Sequence, residues 1–588
     1  MAQPAIGANL LAITLPPGVF RNGTQYQAEG RWYDCNLMRF YEGALRPIGG
    51  WSPFSPNKVT GAPRRMMVWA DDKSNIWVAV GTHSNIYAFD AGGGMNDITP
   101  TGFTVGRADA TNLAGYGAGL YGQNTYGGAA AAANVLNPAT VWSLALLEQY
   151  LVGCTVEDGY LYKWDVNPGH KMTSLSTVTT LAGGSTSAGS AVVTGITSTA
   201  GANQGDLLSG TNVPAGAIYI ASVDSASQIT MTANASATAV ATITATGTAP
   251  INNRGVLVTD EGFLMALGAN GDPRLAMWAD QGSFSLWTPS TTNQAGFYSI
   301  QTEGQLMCGC TVAGACVIFT STEAHLAVYQ GYPLLYSFTL LGEGCGIISQ
   351  AAFVSTHNQV AWMGGNGFWY YNGTLNPLPS DVGDYVFSRL NRQQASKIYA
   401  VHHPGFGEVT WYYVSTNSTE IDSYVLWNYR ESTWNIGSIT RTCAFEAGVL
   451  TYPLMVDPTG QVWNHEYGYT SAYYPGVAAA GLYAETGPVE LSQTYRGLEI
   501  QGIHLGENVW DVVQMEPDAL TLGDGTVSFY TRFHPTLGTE TAYGPYTLKN
   551  PTDLRMSGRQ LRMRVTCAMN GDVRFGSIRL DFRAGGKR

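Results

Sequence analysis

Charge is what this sequence has least of. Of 588 residues, 30 are Lys or Arg and 42 are Asp or Glu, so 12% are charged, against roughly 25% in an average soluble protein. That scarcity excludes a helical bundle, which needs long Lys/Glu/Ala-rich faces. Hydrophobic content is an ordinary 45%, which excludes a disordered chain. The net charge of −12 excludes a protein that wraps nucleic acid by neutralising phosphates. No stretch holds 18 consecutive apolar residues, so no transmembrane helix is expected. The first fifteen residues lack a basic segment and a small-residue cleavage site, so no signal peptide is expected either. Cysteine is also sparse, with eight irregularly spaced residues, and most lie in apolar strand-like runs. They read as reduced, buried thiols. Cys308, Cys310 and Cys316 could begin a metal site, but no matching Cys/His pair follows.

What replaces the charge is glycine, at 71 residues, small polar residues, and aromatics at 11%. This is the balance of a large all-β protein with many tight turns. One strand signal recurs: an apolar run ending in an aromatic followed by Asp, Asn or Gln. It occurs as IYAFD (86–90), LYKWD (161–165), LAVYQ (326–330), FWYYN (368–372) and YVLWN (424–428). Each follows one or two further short strands separated by turn residues, the pattern of an up-and-down meander. The units start near Arg64, Val141, Val256, Thr311, Gln350, Ser396 and Cys443. Once two insertions are set aside, that is the period of propeller blades.

The predicted fold is therefore all-β: a β-propeller of six to seven blades, with an inserted small immunoglobulin-like β-domain and a C-terminal β-sandwich. Residues 1–63 read as an extended segment completing the propeller or contacting neighbours. Residues 64–170 hold the first blades, with a Gly/Ala-rich insertion at 91–139. Residues 251–480 hold the remaining blades. The segment 171–250 alternates apolar residues (Val192, Val193, Ile196, Ile218, Ile220, Ile229, Met231), which argues for a folded domain, although its Ser/Thr/Ala richness also fits a linker. Residues 481–588 read as the sandwich, with Asn570-Gly571 as a hairpin turn and a bulge at Gly576-Ser577 where the apolar phase flips.

From Arg555 onward nine residues are basic and two acidic. Arg562, Arg564, Arg574, Arg579 and Arg583 form the basic outer face predicted for the last strands. That face could be solvated, meet an acidic subunit, or touch DNA. Three acidic groupings are candidates for glycoside hydrolysis, Asp71-Asp72, Asp381 with Asp384, and Glu343, but adjacent acids in turns are more simply turn formers. His402 and His403 alternate faces on a strand and so do not share a metal. No nucleophile elbow, phosphate loop or zinc-protease motif is present. No catalytic residue, cofactor or metal is expected, and the chain reads as a non-enzyme.

Four segments carry a resemblance: GVFRNGTQYQAEGRWYDCNLMRFYEGALRPIGGW (18–51), GDPRLAMWADQGSFSLWTPSTTNQAG (271–296), the stretch from FTSTEAHLAVYQGYP to GNGFWYYNG (319–373), and GRQLRMRVTCAMNGDVRFGSIRLDF (558–582). They resemble the tail nozzle or hub proteins of short-tailed bacteriophages, the packaged-DNA stabilisation family. The resemblance implies a structural virion protein, assembled in the bacterial cytoplasm as a homohexameric ring. Such a ring would lie below the portal and head-to-tail adaptor, anchor spikes or fibres, meet a plug or needle, and pass DNA without sequence specificity. It implies no membrane insertion. The alternative reading is a glycan-binding or glycan-cleaving propeller acting on the host surface.

Overall fold

The computed structural model describes residues 10–112, 136–490, 508–521, 524–533, 539–549 and 551–587. Seven four-stranded antiparallel sheets follow one another along the chain. The first spans residues 63–97, the second 142–174, the third 255–299, the fourth 306–343, the fifth 353–378 and the sixth 399–438. The seventh joins 443–465 to the N-terminal strand Trp51–Lys58. The starts agree with the sequence spacing because each meander is local, a run of apolar residues closed by a polar turn.

The turn acids act as the sequence suggests. Asp71 Oδ1 accepts the backbone N–H groups of Lys73 and Asn75 at 2.9 and 2.8 Å. Asp90 Oδ1 accepts those of Gly92 and Gly94, both at 2.9 Å. The aromatics that precede such turns pack between sheets. Trp164 of the second sheet lies edge-on to Trp69 and Trp77 of the first, at 6.2 and 5.2 Å. Phe368 of the fifth lies 4.9 Å from Trp411 of the sixth. Inner strands such as Ile76–Thr82 and Glu408–Tyr413 are covered on both faces and are buried along almost their whole length, whereas a half-buried strand alternates. Sheet-to-sheet contact runs through the first strands, each beside the next, and Cys443–Phe445 lies beside Pro63–Ala70.

The predicted architecture is corrected in three respects. First, the described residues form separate, open antiparallel sheets of four to six strands and one two-stranded ribbon (Thr111–Asn112 with Leu136–Asn137), and among them no sheet closes into a barrel or a propeller. The four-stranded sheets meet largely through side chains, with single backbone bonds such as Ala400 N–H to the Ala351 carbonyl at 2.8 Å between them. Second, the insert is not immunoglobulin-like. Residues 178–246 form one six-stranded sheet, because Ile218–Ser225 pairs with both Leu207–Gly210 and Gln228–Met231. It encloses its own core, with Leu181, Val193, Ile196, Ile229 and Ile243 among the buried residues. Third, the C-terminal region is not a self-contained sandwich. Its two six-stranded sheets incorporate Leu10–Ile13, Trp32–Asn36, Met38–Tyr41 and Ala44–Pro47 from the other end of the chain.

Asn570-Gly571 makes no hairpin. Gln560–Cys567 pairs with Gly525–Arg532, while Val573–Lys587 pairs with Asn508–Thr521, so the turn carries the chain from one sheet to the other. Asn570 is held there by Asp524, whose N–H it accepts at 2.8 Å. The register shift opposite Asp518 and Ala519 leaves Gly576 unpaired, which keeps Phe575 and Ile578 both buried. The Gly/Ala/Tyr tract within 91–139, residues 114–135, lies outside the described residues. No helix among the described residues is long and apolar enough to cross a membrane.

Candidate functional site

Of the acidic groupings, two are structural. Asp71 serves its own turn: against a burial penalty, hydrogen bonds from Asn75 and Trp77 hold its carboxyl below the usual carboxylate value. Asp381 pairs with Arg31 at 2.9 Å. Asp384 sits in the first turn of the short helix Gly383–Ser388, its N–H bonded to Asn22.

Glu343 is different. It ends the strand Tyr336–Glu343 of the fourth sheet and stands directly opposite Glu323, the first residue of Glu323–Tyr329. Side chains opposite one another in an antiparallel pair leave Cβ atoms about 4.5–5.5 Å apart. Both glutamates line a groove of about 860 Å³, together with Glu303 and Trp369. A register shift at Ala324/His325, beside the pair, bends the ladder there.

The surrounding chain fixes these side chains. Thr320 Oγ1 accepts the N–H of Glu323 at 2.8 Å and donates to its carbonyl at 3.1 Å, which sets the entry to the strand. His325 Nε2 lies 3.1 Å from Glu323 Oε2, and both residues are buried. Glu303 is brought alongside by the pairing of Gln305 with Ser321, at 3.0 Å. Gly346 passes so close to the Ser321–Thr322 backbone that a Cβ would lie 2.4 Å from it. From the fifth sheet, Trp369 rests its indole on Gly364, where a Cβ would lie 3.1 Å from the ring. Arg392 holds the adjoining turn, donating to the Gly365 carbonyl at 3.0 Å and to Asn366 Oδ1 at 2.9 Å. The groove thus has two opposed carboxylates, a third at its rim and a half-buried indole, and no lysine or arginine lines it.

Sequence reasoning reached Glu343 and missed Glu303, Glu323 and Trp369. Glu323 and Glu343 begin and end one hairpin, but its arms are seven and eight residues long, so the register shift that brings the pair opposite was not legible in the spacing.

A larger cleft, about 1400 Å³, separates the insert from the second and third sheets. Its Asp165 is engaged by His170 at 2.6 Å, and its Lys163 lies over the rings of Tyr150 and Phe284 at 4.0 and 3.8 Å. These groups already have partners.

The predicted basic residues do not share a face. Arg562 and Arg564 lie on Gln560–Cys567, in one C-terminal sheet, and Arg574, Arg579 and Arg583 lie on Val573–Lys587, in the other. Arg562 pairs with Glu540 at 2.6 Å and with Glu485. Arg564 covers the Tyr483 ring at 3.7 Å. Arg574 and Arg583 meet Asp572 and Asp581 at 3.1 and 3.6 Å, and Arg579 is exposed.

His402 and His403 face opposite ways. His402 bridges Glu446 and Tyr429 at 3.0 and 3.1 Å, while His403 is buried. All eight cysteines are free and buried, and burial raises the thiols of Cys308, Cys310 and Cys316 far above their usual value. Among the described residues no three metal-ligating side chains converge.

No family model and no curated protein matches the chain. Among solved structures, it is similar to a selenomethionine-substituted virginiamycin B lyase from Staphylococcus aureus, at 7% identity over 71% of this chain and 97% of that one, with a TM-score of 0.35. A structure described as a glycoside hydrolase matches at 7% over 90% and 99%, with a TM-score of 0.23. An exo-beta-1,3-galactanase from Phanerochaete chrysosporium, with galactose, matches at 8% over 55% and 95%, with a TM-score of 0.21. At these TM-scores the likenesses lend no substrate or reaction to this chain. The structures named here are enzymes, and none of them is a tail protein. The expectation of a phage tail nozzle, with its virion role and its exclusion of enzymatic activity, is corrected accordingly.

Proposed function

We propose that this protein binds and cleaves a glycan in the groove beside Trp369. The observation that carries the reading is the Glu323–Glu343 pair, opposed across one ladder at the groove wall. Hydrolysis with retention uses two carboxyl groups about 5–5.5 Å apart, close to the separation at which opposite strand residues start. The indole offers a flat apolar face for the C–H side of a sugar ring, and the groove is of a size common for ligand sites, roughly 300–1,000 Å³.

In this reading Glu323, held by His325, is the nucleophile. Its carboxylate attacks the anomeric carbon and forms a glycosyl ester while Glu343 protonates the departing oxygen. Glu343 then takes a proton from water, the resulting hydroxide opens the ester, and Glu323 is released as carboxylate.

Reducing-end release from a panel of neutral and acidic polysaccharides tests this. Wild-type protein is expected to release sugar from at least one member, with kcat reduced by roughly 10²–10⁴ in Glu323→Gln and Glu343→Gln. Trp369→Ala should raise KM more than it lowers kcat. No release from any member, or unchanged turnover in both glutamine variants, overturns the reading.

A further inference from the structure

The first strands of successive sheets surround another cavity, about 390 Å³, with walls from Trp142–Leu146, Val256–Thr259, Cys308–Thr311, Phe353 and Ser355. One cation lines it, Arg65 of the first sheet. Among the described residues Arg65 has no ion pair and no side-chain hydrogen bond, and its Nε is buried without a partner. The Nε of its neighbour Arg64 is likewise without a partner, but both Nη groups of Arg64 are committed. Arg64 forks onto Glu420 at 2.9 and 3.2 Å and donates to the Ala108 carbonyl at 2.7 Å.

Nothing around Arg65 supplies the missing charge. The groups nearest it electrostatically are the thiols of Cys308 and Cys443, and burial pushes both up so that they stay neutral at physiological pH. The one carboxylate on the lining, Asp260, is exposed at the end of the third sheet's first strand and makes no ion pair with Arg65. Three nearby side-chain donors are already committed. Ser143 Oγ donates to the Val256 carbonyl at 3.2 Å, Ser355 Oγ to that of Thr311 at 2.5 Å, and Gln350 Nε2 to that of Arg254 at 2.8 Å. A confined, unpaired cation is costly, and a guanidinium fork matches an oxyanion with two hydrogen bonds.

We infer that this cavity is an anion site in which Arg65 holds a small inorganic oxyanion of the phosphate or sulfate class. The site is separate from the carboxylate groove and does not depend on the glycan reading.

Equilibrium dialysis of the full chain against radiolabelled inorganic phosphate, at constant ionic strength set with sodium chloride, tests it. The expected result is one saturable phosphate per chain, competed by sulfate, with affinity about tenfold or more weaker in Arg65→Met. Arg65→Lys keeps the charge without the fork and should bind with intermediate affinity; it serves alone if the methionine variant does not fold. Absence of saturable binding, or equal binding by wild type and the substituted proteins, overturns the site. So does displacement by chloride as effective as that by sulfate.

Discussion

Single residues in the sixth and seventh sheets set an acid limit on this protein. Burial lowers the His403 imidazole to about 4. Burial and the adjacent Arg441 hold His465 well below its usual value. His465 Nε2 accepts a hydrogen bond from Arg441 Nε at 2.8 Å, which a protonated ring could not do. The unfolded chain binds protons at both histidines near pH 6.5 and the folded chain does not. The contribution of these two histidines to stability is therefore complete above about pH 6.5 and is lost as the pH drops from there through about 4. His403 alone accounts for a loss on the order of 3 kcal/mol across that window. Urea midpoints measured between pH 7 and 4.5 should decline, and less steeply in His403→Gln. An identical slope in the variant would remove His403 from the explanation.

At the scale of elements, the insert is the clearest separable unit. Its ends meet, with the Gly247 N–H donating to the Thr177 carbonyl at 3.0 Å, and its apolar residues form their own cluster. Replacing residues 178–246 by a short glycine linker should leave the melting of the remaining sheets within a few degrees of the full chain. A collapse of their thermal transition would show that the insert supports the second and third sheets.

These elements were also the legible part of the sequence. Turn acids such as Asp71 and Asp90, and aromatics such as Phe89 and Trp164, announce strands through contacts a few residues apart. What was not legible depended on distance in the chain. Asn570-Gly571 has the composition of a hairpin, but its flanking strands find partners elsewhere, which turn chemistry cannot specify. The arginines after Arg555 cluster in sequence and are divided between two sheets in space. In the groove, Glu343 was visible as a residue, but its meaning came from Glu323 across the ladder and Trp369 on the next sheet.

For the whole molecule, the decisive arrangement is that both ends of the chain build the same structure. One apolar cluster runs from Ile13 to Phe582 and takes in residues of the fourth, fifth and sixth sheets and of both C-terminal sheets. Trp51 ties the N-terminal strand to this body, stacked on His465 at 5.3 Å, edge-on to Tyr474 at 5.5 Å and beneath Arg441 at 4.8 Å. Trp51→Ala should cost about 3–5 kcal/mol. Because the cluster is continuous, calorimetry should show the main transition moving down as one. A variant in which only the seventh sheet melts early would contradict that cooperativity.

The pairing of Trp51–Lys58 with Gln461–His465 also orders events during synthesis. Gln461 Nε2 donates to the Ser55 carbonyl at 2.6 Å across 406 residues of chain. On the ribosome, the early strand must wait for most of the protein to be translated before its partner exists. A waiting strand is an open edge, available to any neighbouring nascent chain. Pro53 and Pro56 lie within it, and each withholds a backbone donor that a foreign strand would need. The prolines tolerated at the rim of the seventh sheet thus protect the unfinished molecule before the finished one has any use for them.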